Sequence, residues 1–158
     1  MTENGNKEQE LMQSDPNWHL DWFLQSLVDI VTPGNISFGI TLSLGGTLVT
    51  GTLVSGKQYF EGFAEQFAAA WPGDDPDAVR AALSKFARIY ESSEEGRAEA
   101  KESDSESSVE PPRPGYIHLK NARIMRQGNV MVPSDRLAWW RSRISAVDGF
   151  TLGEISQS

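Results

Sequence analysis

From Ile36 to Leu44 the chain alternates with a period of two. Ile36, Phe38, Ile40, Leu42 and Leu44 are apolar, and Ser37, Gly39, Thr41 and Ser43 between them are small or polar. An extended strand turns every second side chain to the same side, so this run specifies a half-buried β-strand. Gly45-Gly46 follows and can supply positive φ at both central positions of a tight turn. Thr47 to Ser55 then returns as a second strand rich in β-branched residues. Gly51 interrupts that strand, as a glycine does where a strand bulges or bends, so the hairpin predicts a small, strongly bent antiparallel sheet.

The period changes on either side of the hairpin. Upstream, Leu20, Phe23, Leu24, Leu27, Val28 and Val31 fall on one face of an N-terminal helix, with Asp15-Pro16 as its start signal and Thr32-Pro33-Gly34 as its end. Downstream, Gln58 to Trp71 suits a helix or a wide turn. Asp74-Asp75-Pro76-Asp77 caps a further helix with Val79, Ala82, Leu83, Phe86, Ala87 and Tyr90 on one face. Residues 58–90 therefore read as a helical insertion. Tyr116 to Met125, Val130 to Val132, Leu137 to Val147 and a closing segment to Leu152 read as strands. The expected fold is α+β, with an N-terminal helix and about five strands.

Charge sets the domain map. The 158 residues carry 14 Lys+Arg and 22 Asp+Glu, a net charge of −8, which is one domain's worth of an acidic chain. From Glu91 to Glu110 there are eight acids, two bases and a single branched aliphatic, Val109. Such a tract cannot bury enough apolar surface to offset an ordering entropy of roughly 1–2 kcal/mol per residue. With Pro111 to Gly115 it is expected to form a disordered acidic and Pro-rich linker, 91–115, and the polar residues 1–15 a disordered N-terminus. Residues 16–158 then make a single α+β domain interrupted by the helical insertion and the linker. The start has no secretory pattern and no apolar run approaches the ~18 residues of a membrane span, so a cytoplasmic protein without membrane contact is expected.

Most catalytic chemistries are excluded by residue type. There is no cysteine, which removes disulfides, thiolate metal sites and a Cys nucleophile. His19 and His118 lie in different elements and cannot build a multi-His cage, so no metal and no cofactor is expected. No phosphate-cradling glycine motif occurs. Asp74, Asp75 and Asp77 could bind a cation or act as acid and base, but acids at a helix start also cap free amides and complement the dipole. Lys120, Arg123, Arg126, Arg136, Arg141 and Arg143 make the C-terminal third basic, and Trp139-Trp140-Arg141 interleaves aromatics with charge. On an alternating strand Trp140, Ser142, Ile144 and Ala146 share one face, and Trp139, Arg141, Arg143 and Val147 the other. The overall acidity disfavours phosphate contacts, so protein contacts or an intramolecular role are expected of these arginines. The acidic tract is their natural electrostatic partner, within one molecule or between molecules.

Two resemblances follow from these residues. The hairpin from Leu44 to Leu53, with Gly46, Gly51 and Leu53 at the matching spacing, resembles the first hairpin of Sm-like proteins. That likeness implies an Sm-like barrel interrupted by residues 58–115. The positions of its RNA-contacting residues fall on Lys57 and Glu61, and Glu61 would repel phosphate.

A larger part of the chain resembles the gas vesicle accessory protein GvpU family. The matching stretches are Asp21 to Asp29, Phe38 to Gly51, Tyr59-Phe60-Glu61-Gly62-Phe63, Ile117 to Ile124, and Trp139-Trp140-Arg141 to Asp148-Gly149-Phe150. The last is the most specific, with Ser142 where the family has glycine, and it supplies the candidate protein-interaction residues Trp139, Trp140, Arg141, Arg143, Asp148 and Phe150. The resemblance implies a non-enzymatic cytoplasmic protein, located at gas vesicles, that helps control their assembly or clustering. Its implied partners are the vesicle shell or other gas vesicle proteins, and itself, with no nucleic acid. An Sm-like RNA-binding protein is the alternative. A hydrolase built from scattered Ser, His and Asp is a third class, for which no nucleophile motif is present.

Overall fold

A computed structural model of the chain describes residues 20–90, 113–126, 129–132 and 138–155. The expected disorder of 1–15 and of the tract 91–110 lies outside the described residues, as does Asp15-Pro16. Among the described residues the first helix is capped by Asp21: its carboxylate accepts the N–H groups of Phe23 and Leu24 at 2.9 and 3.1 Å, and α1 runs Trp22–Val31. Leu24, Val28 and Val31 turn inward at i, i+4 and i+7. Gln25 is buried beside them because its Nε2 donates to the Pro114 carbonyl at 3.0 Å, whereas Phe23, expected on the buried face, is 50% exposed.

The hairpin forms as the alternation requires. β1 (Phe38–Leu44) and β2 (Thr47–Val54) pair antiparallel, joined by Gly45 and Gly46 at φ +54° and +78°. Gly51 is where the pairing of β2 shifts register. Opposite it, β3 (Tyr116–Arg126) carries an extra residue: Thr50 pairs with Arg123 and Thr52 with Lys120, which sets Asn121 and Ala122 against one glycine. Asn121 accommodates the bulge at φ +55°. A Cβ on Gly51 would sit 2.9 Å from the Lys120 carbonyl oxygen and 3.0 Å from Ala122 Cα, so only glycine lets the two backbones approach this closely.

Six strands result, one more than expected. β4 (Asn129–Val132) pairs with the second half of β3 and β5 (Ala138–Arg143) with its first half, while β6 (Gly149–Leu152) pairs with β1. All pairings are antiparallel, in the order β4-β3-β2-β1-β6, and the sheet described is open rather than a closed barrel. The strand expected to run on to Val147 stops at Arg143. Ile144–Ala146 instead forms a 3₁₀ turn that buries Ile144 and redirects the chain into β6. α1 packs on one face of the sheet, where Leu24, Val28 and Val31 meet Ile40, Leu42, Val49, Leu53, Ile117, Leu119 and Ile144. The insertion begins two residues earlier than expected, with α2 (Gly56–Ala69), and continues with α3 (Pro76–Ser84) and a helical turn to Tyr90. It meets the sheet through His118 and Trp139, which alternate with the core-facing Ile117, Leu119 and Trp140 and so point to the opposite face. The α+β architecture with an N-terminal helix is thus observed.

Candidate interaction surface

α2 starts directly at the end of β2 because Ser55 and Gln58 form a reciprocal capping box. The Ser55 hydroxyl accepts the Gln58 N–H at 3.1 Å, and the Gln58 side chain accepts the Ser55 N–H at 3.4 Å. The Gln58 amide also donates to the Gly34 carbonyl at 3.2 Å, which ties the start of α2 to the loop after α1. Beyond this anchor, Tyr59, Phe63, Phe67 and Trp71 recur every fourth residue. On a helix that spacing stacks neighbouring side chains and drifts slowly around the axis. The rings form a continuous ladder with centroid separations of 5.9, 6.0 and 5.8 Å. The ladder runs from inside to outside, Tyr59 being 8% exposed and Phe67 and Trp71 each 42%, with Trp71 just past the C-cap Ala70 of α2.

Phe60 carries the aromatic chain sideways. Its ring lies 5.2 Å from Tyr59, 5.8 Å from Phe86 and 5.7 Å from Tyr90. Phe86 and Ile89 are 48% and 60% exposed. α3 is held to α2 by the buried Ala64, Ala68 and Ala87 and by Arg80, which pairs with Glu65 at 2.8 Å and with Asp77. Asp75 is the N-cap of α3, accepting the Ala78 N–H at 2.9 Å, with Pro76 in the first turn, so Asp75 and Asp77 are engaged in helix capping and ion pairing.

Under α2, the aromatic chain closes around His118. Tyr59, Tyr90 and Phe60 lie 5.0, 5.5 and 6.1 Å from its ring. Arg141 donates from Nε to His118 Nε2 at 3.2 Å, and its guanidinium stacks 3.5 Å over the centre of Tyr116. Burial, and after it the Arg141 charge, pushes the His118 pKa down to about 3. Burial also raises that of Tyr59. A neutral imidazole enclosed by rings and a guanidinium is an anchor for the helical insertion. Among the described residues, no group of three or more His, Asp or Glu side chains is placed to hold a metal.

The candidate interaction residues divide between two places. Trp139 stands against Tyr59, 6.1 Å between centroids, and its ring fills the space above Gly62, where any Cβ would overlap it. It forms one wall of an open depression of about 470 Å³ shared with Gln58, Glu61, Glu65, Ser84 and Lys120. Arg141 belongs to the His118 cluster, Trp140 packs against the core, and Arg143 is exposed at the end of β5. Asp148 and Phe150 lie elsewhere. The Asp148 carboxylate accepts the Gly45 N–H at 2.6 Å and so braces the β1–β2 turn, and Phe150 packs on the core and on Phe23 at 5.8 Å. Lys57 and Glu61, at the Sm-like contact positions, lie on α2 rather than in a strand connection. The exposed ladder on α2 was missed in the sequence, although its signal, an aromatic at every fourth position from Tyr59 to Trp71, is present there.

The fold and this surface define an α+β protein whose helical insertion presents aromatic side chains outward. A family model described as gas vesicle protein GvpU-like matches residues 21–155, nearly the whole chain, and the chain therefore belongs to the GvpU-like family of gas vesicle proteins. No curated protein sequence and no solved structure matches it.

Proposed function

We propose that this chain is a non-enzymatic gas vesicle accessory protein, located at gas vesicles in the cytoplasm. It helps control their assembly or clustering by contacting the shell or other gas vesicle proteins, and itself. The observation that carries this reading beyond family membership is the ladder on α2. Phe67, Trp71, Phe86 and Ile89 are all more than 40% exposed on one small insertion, with Phe67 and Trp71 in ring contact at 5.8 Å, and exposed aromatics of this kind mark protein contact surfaces. None of these side chains is needed to fill the core beneath α1. The ladder adds a second surface to the candidate residue Trp139, which packs on Tyr59 and Gly62 and walls the open depression beside α2. No observation favours the RNA-binding alternative.

The test is to add the purified protein to isolated gas vesicles and follow cluster size by light scattering and microscopy across a salt series. Growth of clusters with added protein supports the reading. Vesicles that stay dispersed at every protein and salt concentration would exclude it. Contacts between the acidic tract and basic side chains should weaken as the Debye length falls to about 4 Å near 0.5 M salt, whereas aromatic contacts persist.

A further inference from the structure

β6 ends the sheet in the order β4-β3-β2-β1-β6, and among the described residues no strand pairs with its outer edge. The Gly153 N–H donates to the Gly39 carbonyl at 2.8 Å, and Thr151 lies opposite Thr41. Bonded residues alternate along an antiparallel ladder, so Gly149 and Thr151 turn their backbone groups toward β1, and Phe150 and Leu152 turn theirs outward. Open edges are ordinarily blunted by a lysine, a proline or a bulge. Gly149-Phe150-Thr151-Leu152 carries neither charge nor proline. The acids on either side are drawn back onto the molecule: Asp148 accepts the Gly45 N–H at 2.6 Å, and beyond Gly153, at φ +99°, Glu154 accepts the Thr52 hydroxyl at 2.6 Å.

The same edge lacks apolar cover. Phe150 and Leu152 stand opposite Leu42 and Ile40, and therefore on the face that α1 covers. Leu152 is nonetheless 66% exposed. From Phe150 a run of ring contacts leads out over α1, to Phe23 at 5.8 Å and on to Trp22 at 5.7 Å. Trp22 is 64% exposed and Phe23 half exposed.

We infer that this edge joins two copies of the chain about a two-fold axis, β6 antiparallel to β6, with Thr151 facing its counterpart on the axis and Phe150 of each copy bonded to Leu152 of the other. The strand is complementary to itself: its outward residues sit symmetrically about Thr151, so this register pairs every outward N–H and C=O of β6. Charge favours the same place. At a net −8 two copies repel over most of their surface, and a neutral strand whose flanking acids are turned away is where they can meet. Trp22, Phe23 and Leu152 leave roughly 350 Å² of side-chain surface per copy to be covered, since large side chains span about 150–250 Å² each. With the strands included the pair would bury on the order of 1,000 Å², the size of a weak, reversible dimer. The inference rests on the reading that the chain contacts itself, and gives that contact a place and a symmetry, apart from the α2 face.

The experiment uses the full chain. By sedimentation velocity its mass should rise from one chain toward two as concentration increases through the micromolar range, and Leu152→Lys, which puts a cation on the edge, should weaken association about tenfold or more. Leu152 is mostly exposed, so the urea midpoint should hold. A second variant does not depend on disrupting anything. The chain has no cysteine, and facing Thr151 residues in a non-bonded pair would lie about 4.5 Å apart at Cα, within disulfide reach. Under mild oxidation Thr151→Cys should form covalent dimers at least about tenfold faster than Ser145→Cys, an exposed site off the edge. A full chain that stays monomeric at every concentration would overturn the inference, including one that associates only after removal of residues 1–15, whose edge is taken by its own N-terminal segment. Association unchanged in Leu152→Lys, or equal crosslinking of the two cysteine variants, would overturn it as well. No vesicle is present in these assays, so their failure is separate from a failure to cluster vesicles, which would strike the functional reading alone.

Discussion

The Nε–H of Arg141 donates to Nε2 of His118 across 3.2 Å, on a ring that is only 2% exposed. A guanidinium can only donate, so Nε2 must keep its lone pair, and the imidazole proton sits on Nδ1. Protonating the ring would create a cation inside an apolar enclosure, directly beside the exposed Arg141 guanidinium. This contact, with the Tyr59, Phe60 and Tyr90 rings, is what fastens the helical insertion to β3 and β5.

That arrangement makes stability depend on pH in a defined direction. The His118 pKa is about 3 in the folded chain against 6.5 for an unperturbed histidine. Above 6.5 the ring is neutral in both states and the anchor is fully stabilising. As pH falls below that value the unfolded chain takes up a proton that the folded chain refuses. Stability should then drop by at most ~1.4 kcal/mol per pH unit on the way down to the folded pKa. Urea midpoints between about pH 7 and about pH 5 should fall more steeply for wild type than for His118→Gln. Parallel slopes would show that the ring is not held neutral.

The Gly62–Trp139 contact should give a change of sign. Gly62→Ala alone should destabilise, because the new Cβ overlaps the indole ring. In a Trp139→Ala background the same substitution should stabilise by up to ~1 kcal/mol, since alanine is the better helix former. Chemical denaturation of the four proteins in a double-mutant cycle checks this. Additive effects would mean that the two residues are not in contact.

Two glycines of the hairpin should differ in kind. Gly51→Val should cost roughly 1–3 kcal/mol, because its side chain must displace the backbone at Lys120 and Ala122. Gly45→Ala meets nothing within 4 Å and should cost only the strain of φ +54°, about 1–2 kcal/mol. The variants separate structurally as well: only Gly51→Val should perturb the amide chemical shifts of β3 around Asn121.

The hairpin, its turn and the bulge at Gly51 were readable because glycine spacing and a period of two reflect local backbone geometry, which a sequence carries directly. The bulge partner Asn121 was not, since its left-handed φ arises only from pairing with β2. The start of α1 at Asp21 was obscured because Asp15-Pro16 offers an equally good local signal. The end of β5 at Arg143 is set by tertiary packing: Ile144 turns into the core, and no local cue marks that. Of the candidate residues, Trp139 and Arg141 were correctly assigned to the face opposite Trp140. Their engagement with Gly62, Tyr116 and His118 could not be foreseen, because those partners come from distant elements. The aromatic spacing on α2 is legible, but its exposure is not: Ala64 and Ala68 are buried, whereas Phe67 and Trp71 are each 42% exposed.

Flotation of isolated gas vesicles with the protein tests the central claim most directly. Wild-type protein should rise with the vesicles, and Phe67→Ser/Trp71→Ser, with an unchanged urea midpoint, should remain below them with at least about tenfold less bound. Equal flotation of the two folded proteins would contradict the claim that the α2 aromatic face is what contacts the vesicle.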